Sequence, residues 1–130
     1  MSNVLFLAMA AVGCGAAETG PELGDVRGKV IQNDKPVAGV TVIFISESRD
    51  AAPAVGVTDA EGHYELRYRG GMRGSPIGPC QVQLQVGGRS EDPEKPAPPP
   101  QTYTVPENRT VFYENNIFDF DLSTLGKPSI

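Results

Sequence analysis

The sequence has no tryptophan and one histidine, His63, and both scarcities exclude chemistry. A zinc or non-haem iron centre normally draws on more than one imidazole. A broad aromatic platform for stacking usually includes an indole. There are only two cysteines, Cys14 and Cys80, too few for a disulfide framework. Basic residues are outnumbered, giving a net charge of −5, so nothing favours nucleic acid. The longest apolar run, Val4 to Val12, falls far short of the roughly 20 residues that span a bilayer as a helix.

What is present is period two. Val55 to Arg69 sets two short alternating runs around Thr58-Asp59-Ala60-Glu61-Gly62. Val55 and Val57 share one side of the first run; Tyr64, Leu66 and Tyr68 share one side of the second. The expected hairpin loop has Asp59 accepting backbone N–H groups and Gly62 left-handed. Cys80, Val82, Leu84 and Val86 alternate with three Gln, the cleanest strand in the chain. Asp25 to Ile31, Val37 to Ile45, Thr102 to Val105, Arg109 to Tyr113 and Ile117 to Leu122 complete the strand candidates. Gly70 to Pro79 and the Pro-rich 87–101 read as connections. About seven short strands without helical periodicity predict an all-β, antiparallel β-sandwich. The expected interior includes Val26, Val30, Val42, Phe44, Val57, Tyr64, Leu66, Val82, Leu84, Phe118 and Phe120, with Cys80 as a buried, inert thiol.

The apolar run of Val4 to Val12 has the length of a signal-peptide core. Ala11-Val12-Gly13-Cys14 after it resembles a bacterial lipobox, whose Cys becomes the acylated first residue of the mature protein. That resemblance implies export and a membrane anchor at Cys14. The predicted division is a lipoprotein signal over 1–13, a flexible tether over 14–23, the β-sandwich over 24–123 and a tail over 124–130.

A family resemblance rests on motif order. Gly28-Lys29-Val30, Lys35-Pro36-Val37-Ala38-Gly39-Val40-Thr41-Val42, Thr58-Asp59-Ala60-Glu61-Gly62-His63-Tyr64, Pro76-Ile77-Gly78-Pro79-Cys80 and Asn116-Ile117-Phe118-Asp119-Phe120-Asp121-Leu122 follow one another. In that order they resemble the carboxypeptidase regulatory-like domain, a transthyretin-like or prealbumin-like sandwich found in small envelope lipoproteins. The resemblance implies a Greek-key fold and an envelope location, and no activity. Sandwich relatives that cleave aromatic rings with iron need two His and two Tyr, and hydroxyisourate hydrolases of this fold need more than one His.

The remaining candidates are weak. Tyr103 and Tyr113 are the best prospects for an exposed sugar-binding pair. Arg67, Arg69 and Arg73 could grip an anionic sugar or a carboxylate. Asp119 and Asp121 share one strand face, as an acid–base pair would, and Asp59 with Glu61 invites a Ca²⁺ reading. Ser46, Ser48, Ser75 and Ser90 lack a Gly-x-Ser-x-Gly setting. The expectation is therefore a non-catalytic, cofactor-free envelope lipoprotein, anchored at Cys14, that meets an envelope protein or glycan. A carbohydrate-binding module is the alternative and a small hydrolase the least favoured reading.

Overall fold

The computed structural model describes residues 20–87, 92–97 and 99–129. Cys14, the lipobox and the signal segment lie outside the described residues. Within them the chain is all-β, and no helix is long and apolar enough to cross a membrane.

Alternation builds the first sheet. β4 (Thr41–Ser46) and β8 (Gly78–Val86) pair antiparallel from Thr41↔Gln85 to Ser46↔Cys80. β5 (Ala54–Val57) lies on the other side of β4. β9 (Gln101–Thr104) and β10 (Arg109–Val111) share the free side of β8, one along each half. Val42, Phe44, Cys80, Val82, Leu84 and Val111 point inward and are fully buried. Each large side chain so buried stabilises by roughly 1.5–3 kcal/mol.

The second sheet is organised on β2 (Val26–Gln32). β3 (Lys35–Pro36) and β6 (His63–Glu65) lie on one side of it, antiparallel. β11 (Asn116–Ile117) and β12 (Phe120–Asp121) lie on the other, parallel. The β2–β3 turn uses Asn33 and Asp34, both left-handed at φ 53° and 66°, the conformation of a tight hairpin. The sheets meet through Phe44, whose ring lies 5.8 Å from Phe118 and 6.5 Å from Phe120. A short ribbon of β1 (Leu23–Gly24) and β7 (Ser75–Pro76) completes the body.

Several expectations are corrected. The final strand is not antiparallel: β11 and β12 run parallel to β2, with one register offset along both. The strands are more numerous and shorter than the seven expected. The two runs around the Asp59 turn do not form one hairpin ladder. β5 belongs to the first sheet and β6 to the second, with a single bridge, Val55↔Arg67, across the corner. Val57 is 41% exposed, not interior. The parity is set by Thr58, whose buried hydroxyl donates to Val37 O at 2.7 Å and accepts Val40 N–H at 2.9 Å. That turns Ala54 and Gly56 inward and Val55 and Val57 outward. Ser75-Pro76 is no idle connection, because both residues are buried and paired with β1. The tether gives way to structure by Glu22, whose carbonyl accepts Ile77 N–H at 3.0 Å. The tail is pinned too, by reciprocal 2.8 Å bonds between Thr102 and Ser129.

Candidate functional site

A groove with ionisable walls lies on the outer face of the second sheet. Arg27 and Lys29 alternate outward on β2 because Val26 and Val30 face the core. Across the pairing, Arg27 lies opposite Glu65 and Lys29 opposite His63. Ile117 and Asp119 supply the other wall. With Gly28 and Tyr64 in the floor they enclose a groove of about 480 Å³.

The floor is held by an exchange of hydrogen bonds. Gly28 stands where a Cβ would lie 1.9 Å from the carbonyl oxygen of Phe118, so only glycine admits that carbonyl. The Tyr64 hydroxyl donates to the same oxygen at 2.6 Å. Lys29 N–H finds the Asp119 carboxylate at 2.9 Å. Burial, and next the Asp119 charge, push the Tyr64 hydroxyl far above its ordinary pKa, so it remains a donor.

At one end of β6, Asp59 Oδ1 accepts the N–H groups of Glu61 and His63, both at 2.9 Å, and Gly62 is left-handed at φ 79°, as the sequence predicts. The bond from His63 N–H is the main reason the Asp59 carboxyl lies below its ordinary range. Asp59, Glu61 and His63 bring one ligand atom each within 4.8 Å of one another. All three are exposed, and Ca²⁺ needs six to eight oxygens. Of the described residues these are the ones that could contribute to holding a cation; the sequence reading joined Asp59 to Glu61 but left His63 out.

The other predicted residues scatter. Tyr103 is 8% exposed and faces the core while Tyr113 is 69% exposed, so they form no pair. Alternation on β9 sends Tyr103 inward, whereas Tyr113 stands past the end of β10. Arg67 is matched by Glu65 at 3.0 Å, and Glu65 also reaches Arg73 at 3.7 Å. Arg69 stands apart in a 3-10 turn over Arg69–Gly71, so the basic cluster is not a free anion clamp. Asp119 and Asp121 serve separate structural tasks, because Asp121 accepts from the N–H and hydroxyl of Ser123. No acid–base pair results. Cys80 is buried, with Ser75 Oγ at 3.8 Å, and burial pushes its thiol pKa up.

The sequence places Asn116 in the closing motif but does not reveal that its side chain clamps the preceding turn. Its Nδ2 donates to the carbonyls of Asp25, Phe112 and Glu114, and its Oδ1 accepts Phe112 N–H at 2.9 Å. The doubled Asn115-Asn116 after Glu114 is the turn signal that was available.

No family model matches the chain, and no curated protein does. Among solved structures, it is similar to a 9R-lipoxygenase from Cyanothece PCC8801 at 14% identity and TM-score 0.47, over 86% of this chain and 18% of that one. It is also similar to the dioxygenase domain of a dioxygenase–carbohydrate-binding fusion from Streptomyces sp. SirexAA-E, at 16% identity and TM-score 0.40, over 82% of each chain. The chain thus spans less than a fifth of the lipoxygenase. Likenesses this distant carry no functional argument.

Proposed function

We propose that this chain is an exported bacterial envelope lipoprotein, anchored through acylated Cys14, whose β-sandwich binds or scaffolds rather than catalyses. Its sandwich is read as the seven-stranded Greek key of the carboxypeptidase regulatory-like, transthyretin-like family, with the extra short strands as local pairings at its edges. The observation that carries the reading is Ala11-Val12-Gly13-Cys14 directly after the Val4 to Val12 run. The side-chain chemistry is in keeping with it. Asp119, Asp121, Tyr64 and Asn116 each bond backbone groups that hold the fold. The groove beside Arg27, Lys29 and His63 is the natural contact surface for an anionic group on an envelope glycan or protein. The glycan-binding alternative keeps that groove but loses its aromatic pair, since Tyr103 is interior.

Feeding cells an alkyne palmitate analogue tests the anchor. The wild-type chain should take the label, and Cys14→Ser should lose it. Equal labelling of both chains discards the anchor.

A further inference from the structure

The three most exposed large apolar side chains of the described residues fall close together in sequence: Phe112, Tyr113 and Ile117 are 65%, 69% and 63% exposed. Phe112 and Tyr113 stand on a turn that is clamped in place. The Asn116 side chain ties the Phe112 and Glu114 carbonyls to that of Asp25. Gly24, whose Cβ would lie 2.0 Å from Phe112 O, lets the turn press against β1. Aromatic side chains on a loose loop can fold back over one another. On this turn the backbone is already ordered, so docking either ring costs little further entropy.

The turn also stands where the chain enters the body. Leu23 and Asp25 line the same hollow as Tyr113 and Glu114. Cys14 precedes Leu23 by nine residues, a reach of at most about 30 Å at ~3.3–3.6 Å per residue. Resting on the anchor reading above, we infer that the Phe112–Tyr113 turn inserts into the headgroup region of the bilayer that holds the acylated Cys14, and so orients the domain on it.

The chemistry selects the surface. A tyrosine and a phenylalanine side by side suit the boundary between headgroups and acyl chains. Asp25 and Glu114 flank the turn and Glu22 is close by in the chain. Anionic headgroups would repel them, so the surface is a zwitterionic one. Two rings bury too little area to hold a free protein on a membrane. A short tether changes that by raising the local concentration to the order of mM. The anchor supplies residence and the turn supplies orientation. With the turn down, the Asn33–Asp34 hairpin at the far end of β2, about 20 Å away at ~3.3 Å per residue, stands off the membrane.

The absence of tryptophan makes this measurable. Phe112→Trp and Gln32→Trp each create a sole indole, one on the turn and one at the far end of β2. Each full-length protein is isolated from bacterial membranes, weighed for its acyl group, and reconstituted into phosphatidylcholine vesicles containing brominated lipid. The expected result is a blue shift and loss of emission for Phe112→Trp and neither for Gln32→Trp. Equal quenching of both, or of neither, on acylated protein overturns the turn and leaves the anchor standing. Stronger quenching after phosphatidylglycerol is added overturns the zwitterionic assignment. Protein without an acyl group overturns the anchor. The turn is then decided by the same quenching on Cys14→Ser chains held to nickel-chelating vesicles by a hexahistidine tag ahead of Met1.

Discussion

The two sheets share one core and are held by different means. In the first, β4 and β8 run side by side over six paired positions, and their inward residues are plain aliphatics with Phe44 and Cys80. In the second, β2 is met by partners only two or three residues long. Where that ladder stops, named side chains take over: the Asp119 carboxylate for Lys29 N–H, the Tyr64 hydroxyl for Phe118 O, and Asn116 for the turn before β11. A sheet made by periodicity tolerates any residue of similar shape. A sheet completed by single atoms does not. Substitutions should therefore have graded effects in the first sheet and abrupt ones in the second.

The largest effect is expected at Gly28→Ala. The added methyl would lie 1.9 Å from a backbone oxygen that cannot rotate away. A loss of more than about 4 kcal/mol is expected, a size reserved for a specific structural failure. Urea unfolding should show it beside Gly20→Ala, where nothing lies within 4 Å and the change should be near zero. Equal stabilities for the two variants would mean that the Phe118 segment moves aside freely, and the contrast between the sheets would collapse.

The first sheet answers next. Leu84→Ala removes a fully buried side chain and should cost about 3 kcal/mol. Leu84→Met keeps the volume and should cost under about 1.5 kcal/mol. If methionine proved as costly as alanine, the first sheet would also depend on exact atoms, contrary to its reading as a periodic structure.

This difference in construction decides what a sequence reveals. β4 and β8 are legible because alternation alone makes them. The Asp59 turn is legible because Asp and Gly at that spacing have a local job. The parity of β5 is hidden, because the Thr58 hydroxyl outweighs two valines, and nothing in Val55-Gly56-Val57 announces it. The parallel pairing of β11 and β12 is hidden as well, since it joins residues ninety apart. The groove inherits that opacity. His63 faces outward because it alternates with buried Tyr64, but Arg27, Lys29 and Ile117 reach it only through strand pairing. Tyr103 and Tyr113 look alike in sequence, and the fold sends one into the core and the other into water.

A smaller loss should follow from Tyr64→Phe. The ring stays packed, 6.3 Å from Phe120, and only the hydroxyl is removed. Phe118 O then loses its donor in a part-buried place, at a cost of about 1–2 kcal/mol. Because burial and then Asp119 hold the phenol protonated in the folded chain, the unfolded chain gives up this proton first, so the wild-type advantage should be complete below the ordinary tyrosine pKa and drain away as pH rises above it. An advantage that stays constant as pH climbs past about 10, where free tyrosine ionises, contradicts the buried donor.

The least effect concerns Asp59, the polar clamp that sits in water rather than within a sheet. Its folded pKa lies below the ordinary 3.8, chiefly because His63 N–H donates to the carboxylate. A lowered folded value means that the unfolded chain binds the proton more readily. The stabilisation is therefore complete above the ordinary pKa and drains away as pH falls through the folded one. In Asp59→Asn, the amide oxygen can still accept from Glu61 and His63, but without charge. At neutral pH the wild-type chain should be slightly the more stable of the two. That gap should close as pH falls below 3.8, with urea midpoints as the measure. A gap that holds constant into acid would mean that the charge contributes nothing and the turn is held by geometry alone. Asp59 would then act as Asn116 does, and the distinction between a clamp in water and a clamp inside the protein would be one of position only.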